Sequence, residues 1–350
     1  MNFESNISIQ CARHDFRAFD YTPFNMVAAT HTFGFIGLGN MGSQMAHNLS
    51  LYAKSNSLPP VHIWNRSRGK SEQFAEETVA KIADSVESLV EACDVIHMCL
   101  SNDDVALSVV RQILAVGKQE LIIVDHSTLF PTTSKLLQEE AKSHQVTFCS
   151  CPVFGPPTAA KNAGLLIALS GEEHALEVLK EYIVPTLGKA VINCGSDTAR
   201  GALLKILGNN CILGTIELLS ESFTLAEKTG FDVALFYEFI KAWFPAAAWI
   251  NYGKKVRDGS FSGGTGFTLS GGMKDAAYIR RLGAETSTPT PIIDQAWNHM
   301  TAAKAIGGES LDWSACAAGM RLTAGLHPFK GEDFALRRNG ASGSPSNGDK

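Results

Sequence analysis

The feature that most constrains the fold is a glycine-rich stretch at residues 37–42, Gly-Leu-Gly-Asn-Met-Gly, with the spacing GxGxxG. A short apolar run at residues 32–36 precedes it, and a helix-like pattern over residues 41–53 follows it. A strand, a tight turn and a helix in this order bring backbone N–H groups and the positive end of a helix dipole to one point. We therefore predict that this turn binds the pyrophosphate of a dinucleotide.

The residues of this turn have separate expected tasks. Gly37 allows the tight turn, Gly39 lets the backbone approach the phosphates, and Gly42 lets the helix pack closely on the strand. The two residues between the last glycines are expected to lie beside the same phosphates; they are Asn40 and Met41.

Strand-like and helix-like segments alternate up to about residue 197, which is typical of a parallel sheet covered by helices on both faces. After residue 197 the strand signal stops, and the apolar-rich segment 198–228 is too long for a strand. The predicted strands are residues 32–36, 61–64, 95–100, 121–124, 146–150 and 165–169. Further helices are predicted at residues 232–243, 246–258, 271–284, 290–305 and 310–324.

The end of the second predicted strand favours NADP(H) over NAD(H). A ribose 2′-hydroxyl is normally held there by Asp or Glu, but this chain has Asn65, Arg66 and Ser67, and its first carboxylate is Glu72. Asn65 and Ser67 can hydrogen-bond a 2′-phosphate, and Arg66 adds a planar, charged donor.

The predicted fold class is α/β: an N-terminal Rossmann-type doubly wound parallel sheet, then an all-α C-terminal domain joined to it by a long interdomain helix. We expect a loosely ordered extension at residues 1–31 and an NADP-binding Rossmann domain at 32–196. An all-helical substrate and dimerisation domain follows at 197–336, and residues 337–350 have the composition of a disordered tail.

Composition argues against several classes of partner. The chain has 30 Lys and Arg against 35 Asp and Glu, so it lacks the diffuse positive charge that attracts nucleic acid or anionic lipid. No uninterrupted apolar run approaches membrane-spanning length. Eight scattered cysteines and ten histidines lack the usual spacings of metal sites, so no metal is expected. The first 31 residues match neither a secretory nor a mitochondrial signal, which favours a cytoplasmic location.

Seven short motifs follow one another along residues 33–325. In this order they resemble the 3-hydroxyacid dehydrogenase family, which includes 3-hydroxyisobutyrate dehydrogenases and glyoxylate reductases and is related to imine reductases and 6-phosphogluconate dehydrogenase. The motifs are residues 34–42, Asn65-Arg66-Ser67, Leu100-Ser101-Asn102, Asp125-His126-Ser127-Thr128, Pro152-Val153-Phe154-Gly155, the GxxxKxxxN pattern of residues 201–209, and Lys274-Asp275.

The resemblance implies hydride transfer between NADP(H) and a carbonyl or hydroxy compound, with Lys205 as proton donor and acceptor and Asn209 beside it. Their i,i+4 spacing puts both side chains on one helix face, and a lysine desolvated in a cleft exchanges a proton near neutrality. The resemblance also implies a homodimer through the helical domain and further cofactor contacts from Leu100, Ser101, Thr128 and Lys274.

The substrate loop departs from the family pattern, which usually reads Pro-Val-Ser-Gly-Gly. Here Phe154 replaces the serine and Pro156 replaces the second glycine, so a hydroxyl donor and an amide donor are missing. The substrate-binding residues by resemblance are Val153, Phe154 and Gly155. A larger or less polar carbonyl compound, or an imine, is therefore a plausible substrate.

Two alternatives stay open at this point. The first is an imine reductase that acts on the C=N bond of a larger apolar substrate, although imine reductases generally lack the family lysine that is retained here as Lys205. The second is a cofactor-binding protein without turnover that serves a partner protein, a role that loss of this lysine would favour.

Overall fold

The structure is a computed structural model that describes residues 31–262 and 266–330. The predicted extension at residues 1–31, apart from its last residue, and the predicted tail at 337–350 lie outside the described residues.

Residues 33–195 alternate strands with helices, as their pattern predicts. Their elements are β1 (Phe33–Ile36), α1 (Gly42–Ser55), β2 (His62–Trp64), α2 (Arg68–Glu77), β3 (Lys81–Ile82), α3 (Val86–Ala92), β4 (Val95–Met98), α4 (Asp103–Ala115), β5 (Ile122–Asp125), α5 (Pro131–Ser143), β6 (Thr147–Ser150), β7 (Val153–Phe154), α6 (Pro157–Lys161), β8 (Leu165–Ser170), α7 (Glu173–Lys180), α8 (Ile183–Thr186) and β9 (Gly188–Gly195).

These strands form one sheet in the order β3-β2-β1-β4-β5-β6-β8-β7, and β9 pairs with β8. The six strands from β3 to β6 run parallel, which confirms the predicted Rossmann-type arrangement. Strand order reverses between β1 and β4, and ligands of such sheets bind beyond the carboxyl ends of the strands at that point.

One edge of the sheet differs from the parallel arrangement that the alternation predicts. β8 runs antiparallel to β6 and to the two-residue β7, while β9 lies parallel to β8. Strands β3, β7 and β9 were not predicted. β3 and β7 are each two residues long, and no hydrophobic period can be recognised over so short a segment.

The described residues after β9 are mainly helical. Their helices are α9 (Thr198–Lys228), α10 (Val233–Trp243), α11 (Ala247–Asp258), α12 (Leu269–Glu285), α13 (Pro291–Gly307) and α14 (Cys316–Thr323). The predicted helix at 310–324 is wrong in its first turn, because the Asp312 side chain accepts from the backbone N–H of Ser314 and caps a 3-10 turn, Trp313–Ala315, before α14.

Helix α9 is the axis of the helical half. It begins where Asp197 accepts from the N–H of Ala199, and it packs against α5, five other helices and strands β6, β8 and β9. Among the described residues, α9 is also a helix that could cross a membrane by length and composition alone. This differs from the expectation drawn from the chain's apolar runs, and 39% of the most apolar window of α9 is buried.

Three apolar cores support this arrangement. Two lie on the opposite faces of the sheet, with Phe35 and Met45 in one and Ile96 and Phe148 in the other. The third fills the helical half around Leu213 of α9.

A row of hydrogen-bonded polar side chains crosses the interior of the sheet domain. His97 Nδ1 lies 2.9 Å from His126 Nε2, His97 Nε2 lies 2.8 Å from the Tyr182 hydroxyl, and His126 Nδ1 lies 2.9 Å from the Cys151 carbonyl oxygen. Because the carbonyl only accepts, His126 donates from Nδ1, His97 donates to His126, and Tyr182 donates to His97. These directions hold for neutral imidazoles, and burial favours the neutral forms because it lowers the pKa of His97 well below its usual range and that of His126 to about 4.

Candidate active site

The glycine turn has the geometry that a bound pyrophosphate requires. Gly37 has φ +97°, and a Cβ there would strike the backbone oxygen of Cys99. A Cβ on Gly42 would strike the oxygen of Gly37, so α1 begins directly against the turn. By contrast, no atom of the described residues lies within 4 Å of a Cβ built on Gly39, which leaves room for a ligand against its backbone. These residues fit a dinucleotide phosphate.

The ribose turn is braced to the glycine turn by one side chain. Asn65 Oδ1 accepts from the N–H of Leu38 at 2.9 Å, and its Nδ2 donates to the Ser67 carbonyl oxygen at 3.1 Å. The Asn65 side chain therefore shapes the turn from both ends. Arg66 is exposed, whereas the neighbouring Arg68 is already paired with Glu72 and Asp84.

Two more predicted cofactor loops are tied together at the ends of β4 and β5. The Leu100 N–H donates to Ser127 Oγ at 2.8 Å, and the Ser127 hydroxyl donates to Asp125 Oδ1 at 2.5 Å. Burial raises the pKa of Asp125 to about 6, against the hydrogen bonds from Ser127 that lower it. The chain holds Leu100, Ser101 and Thr128 at the carboxyl edge of the sheet.

A row of polar contacts links α9, α12 and the loop after β5. Lys205 Nζ donates to Asn209 Oδ1 at 3.0 Å, and Asn209 Nδ2 donates to Asp275 Oδ2 at 2.5 Å. Lys274 Nζ lies 3.2 Å from Asp275 Oδ1 and donates to the Thr128 carbonyl oxygen at 2.6 Å. Because a carboxylate only accepts, Asp275 turns the amide oxygen of Asn209 toward Lys205. Four predicted site residues therefore lie in one connected group.

Lys205 has the electrostatic setting of a proton donor. Desolvation lowers the pKa of its ammonium to about 8; the positive charge of Lys274 acts in the same direction, and the negative charge of Asp275 opposes it. A lysine with a pKa near neutrality can give and take a proton at physiological pH.

Phe154 covers this lysine. Its ring centroid lies 4.5 Å from Lys205 Nζ, and its edge fills the space beside Gly208, where a Cβ would strike the ring. Val153 beside it is buried, and Gly155 has φ +138°, a conformation that favours glycine. The predicted substrate loop is thus brought directly onto α9, with an aromatic face in place of a hydroxyl group.

Three residues of the site have roles that are not evident from the sequence. Asp275 orients Asn209, Gly208 makes room for Phe154, and Asp125 holds the loop after β5. Each stands inside or beside a motif of the predicted family, and this adjacency was the available signal.

Two family models match consecutive parts of the chain. The NAD binding domain of 6-phosphogluconate dehydrogenase matches residues 32–195. The model described as NAD-binding of NADP-dependent 3-hydroxyisobutyrate dehydrogenase matches residues 199–319.

Relatives of similar sequence are oxidoreductases by name. The NADH-dependent oxidoreductase ucdB of Aspergillus ustus is 26% identical over 291 residues, which are 83% of this chain and 98% of the relative. A probable mitochondrial 3-hydroxyisobutyrate dehydrogenase of Dictyostelium discoideum is 31% identical over 209 residues, which are 59% of this chain and 62% of the relative.

Solved structures share the fold. The 3-hydroxyisobutyrate dehydrogenase of Salmonella typhimurium has a TM-score of 0.72 at 19% identity, covering 82% of this chain and 99% of its own. An imine reductase from a Pseudomonas species has a TM-score of 0.56 at 17% identity, covering 83% of this chain and 100% of its own.

Proposed function

Because the chain belongs to the 3-hydroxyacid dehydrogenase-like family and is an NAD(P)-dependent oxidoreductase, we propose that it reduces a carbonyl compound with NADPH, or catalyses the reverse oxidation. The observation that carries this proposal is Lys205, with its pKa lowered to about 8, held by Asn209 beneath the Phe154 ring. The proposed substrate is a carbonyl compound that is larger or less polar than a small hydroxyacid.

The cofactor preference rests on the turn after β2. No carboxylate stands at residues 65–67, and the exposed guanidinium of Arg66 offers a charged donor to a 2′-phosphate. Residues 37–42 would hold the pyrophosphate and Leu100, Ser101 and Thr128 the nicotinamide side. The relative from Aspergillus ustus is named as NADH-dependent, so a direct comparison of the two cofactors decides this point.

In the proposed reaction, Lys205 supplies the proton that the carbonyl oxygen takes up. When bound, the cofactor supplies the hydride that adds to the carbonyl carbon. Lys205 Nζ donates a proton to the carbonyl oxygen, while Asn209 and Asp275 fix the position of the ammonium group. In the oxidation, neutral Lys205 takes the hydroxyl proton instead.

Phe154 favours a bulkier substrate. A small carboxylate would lose a hydroxyl donor at Phe154 and an amide donor at Pro156, each worth about 1.5–3 kcal/mol for a charged acceptor. An apolar or aromatic group would instead bury surface against the ring, at about 25 cal/mol per Å². The ring also keeps water away from the Lys205 ammonium.

The test is a substrate panel followed by NADPH oxidation, with NADH alongside. Glyoxylate represents a small acid, and the panel adds a larger uncharged aldehyde, an aromatic ketone and a cyclic imine. We expect the highest kcat/KM for an uncharged carbonyl compound and NADPH. A wide preference for glyoxylate that Phe154→Ser barely changes would contradict the pocket, and a wide preference for the cyclic imine would favour the imine reductase.

We also propose that two copies pair through α9. Three exposed leucines, Leu207, Leu218 and Leu225, are 11 and 7 residues apart, close to whole numbers of helical turns, so they share one face. In the same helical half, Leu235, Phe239 and Trp243 of α10 are also exposed. Exposed apolar stripes of this kind mark protein interfaces, and a second α9 fits a seam with this period.

A further inference from the structure

Three chemically different side chains meet inside the helical half, away from the proposed catalytic group. Glu217 of α9 lies between His299 of α13 and Cys316 of α14, with Glu217 Oε1 2.8 Å from His299 Nδ1 and Oε2 2.9 Å from Cys316 Sγ. The three potential ligand atoms lie within 4.8 Å of one another, and all three residues are buried. This Glu217–His299–Cys316 cluster has no part in the proposed reaction.

Close helix packing brings the cluster together. Gly319, one turn after Cys316, lies against the backbone carbonyl of His299, and a Cβ there would strike it. The missing side chain lets α14 approach α13, and Cys316 Sγ reaches to 3.6 Å from the Ala296 carbonyl oxygen. The ligand atoms are therefore held by rigid helices, not by a loop.

Among the described residues, no Lys or Arg is recorded within ion-pair distance of the buried Glu217 carboxylate. A buried carboxylate normally faces a cation, and a thiol is a weak hydrogen-bond donor. Over the described stretches of chain, His299 is the basic side chain recorded within ion-pair distance of Glu217. A dication bound to a carboxylate, a thiolate and a neutral imidazole would make the site neutral overall, which suits its apolar surroundings.

We propose that the Glu217–His299–Cys316 cluster binds a divalent transition-metal ion of the zinc type. One oxygen, one nitrogen and one sulfur ligand suit Zn²⁺ or Co²⁺, whereas Ca²⁺ and Mg²⁺ require oxygen ligands almost throughout. The three side chains leave the fourth position of a tetrahedral ion for a water ligand.

Metal binding changes bonds and protons but no oxidation state. The Cys316 S–H bond breaks as the sulfur–metal bond forms, and that proton passes to solvent. A neutral His299 transfers its proton from Nδ1 to Nε2 when it binds the ion and releases none, so starting from that form the thiol supplies the one proton released for each ion. The Glu217 carboxylate must move apart from its two partners, because ligands at about 2.0–2.3 Å from a tetrahedral ion are more widely spaced than hydrogen-bonded atoms.

The proposed role of the ion is structural. Glu217 follows Lys205 by twelve residues on α9, or about 18 Å along the helix axis. The ion would join α9, α13 and α14 and stabilise the folded helical half.

The test uses the untagged full chain, treated with EDTA, dialysed and kept reduced. Co²⁺ is titrated while the thiolate-to-cobalt charge-transfer absorption is recorded, and Zn²⁺ is then added as a competitor. We expect a band that saturates at one equivalent, disappears with Zn²⁺, and is accompanied by a higher melting temperature. Cys211→Ser replaces an exposed cysteine of α9, the helix that carries Glu217. It is the matched control and should keep the band.

Variants separate a metal site from a hydrogen-bonded cluster. Cys316→Ser should abolish the band and weaken zinc binding by about 100-fold or more, while Glu217→Gln should weaken cobalt binding yet keep the band at higher concentration. Circular dichroism checks that each variant is folded. If Cys316→Ser does not fold, the cobalt titration of Glu217→Gln tests the metal site instead. The proposal is overturned if the wild-type chain gives no saturable band, or if the band follows Cys211 instead of Cys316.

Discussion

At position 205, burial converts an ordinary lysine into a group that titrates near neutrality. The i,i+4 spacing already places Asn209 on the same face of α9, but the lowered pKa needs the tertiary structure. Desolvation under Phe154 and the charge of Lys274 act together, and neither is visible in the residues around Lys205.

We expect the two reaction directions to depend on pH in opposite ways. Reduction needs the protonated ammonium, so its kcat/KM should be constant below about pH 8 and fall above it; oxidation needs the neutral amine and should rise through the same range.

Lys205→Met should lower kcat by about 10²–10⁴-fold and leave cofactor binding intact. Lys189→Met, at an exposed lysine, is the control. Near-normal kcat in Lys205→Met would contradict this role.

Arg66 and Arg68 provide a matched pair for the cofactor preference. Arg66→Ala should weaken NADPH binding about 10- to 100-fold, the loss of one charge-assisted hydrogen bond, and leave NADH binding nearly unchanged. Arg68→Ala should have little effect on either cofactor, because Arg68 is already paired with Glu72 and Asp84. Dissociation constants from fluorescence titration test both; an equal loss for the two cofactors in Arg66→Ala would refute the assignment.

At the scale of elements, β7 and α9 meet through Phe154 and Gly208. Gly208→Ala would place a methyl group against the Phe154 ring and should cost about 1–3 kcal/mol of stability, and the displaced ring should lower kcat/KM for the preferred bulky substrate. Gly214→Ala on the same helix meets only an ordinary contact with Ile292, at 3.6 Å, and should be neutral or stabilising.

A double-mutant cycle checks this contact. Urea unfolding of Gly208→Ala, Phe154→Ala and the pair should show a smaller cost for the methyl group once the ring is removed. Additive costs would mean that the ring and Gly208 do not interact.

The hydrogen bonds among His97, His126 and Tyr182 link the β4 and β5 region to the residue before α8. They should make the free energy of unfolding depend on pH. Because the pKa of buried His126 is lowered from 6.5 to about 4, its contribution is complete above pH 6.5 and is lost as pH falls toward 4. The full His126 contribution to the free energy of unfolding is on the order of 3 kcal/mol. Asp125, with its pKa raised to about 6, acts with the opposite sign over part of this range.

A variant isolates the histidine contribution. His126→Asn should lose stability relative to wild type at pH 7.5, and the difference should shrink as pH falls to 4.5, as measured by urea unfolding. His144→Gln, at an exposed histidine, should leave the pH dependence unchanged. A difference independent of pH would show that His126 does not remain neutral in the folded protein.

For the whole molecule, the exposed face of α9 leads to a prediction about assembly. We expect a dimer by light scattering coupled to size-exclusion chromatography, and Leu218→Asp with Leu225→Asp should convert it to a monomer. Leu51→Asp, at an exposed leucine of α1, should leave the dimer intact. A monomeric wild-type chain, or a dimer that survives both aspartates, would refute pairing through α9.

The sequence by itself determined the features that depend on neighbouring residues. The glycine turn at 37–42, the alternation of strands and helices, the long helix and the shared face of Lys205 and Asn209 all follow from local backbone geometry and periodicity. These were enough to predict the fold class and the family.

Only the tertiary structure decided what is joined across long stretches of chain. Asp275 reaches Asn209 over 66 positions, and Glu217 meets Cys316 over 99. Phe154 finds its place on α9 because the antiparallel strand β7 turns back along β8. Such contacts are set by how whole helices and strands pack, and no local pattern in a single sequence carries that information.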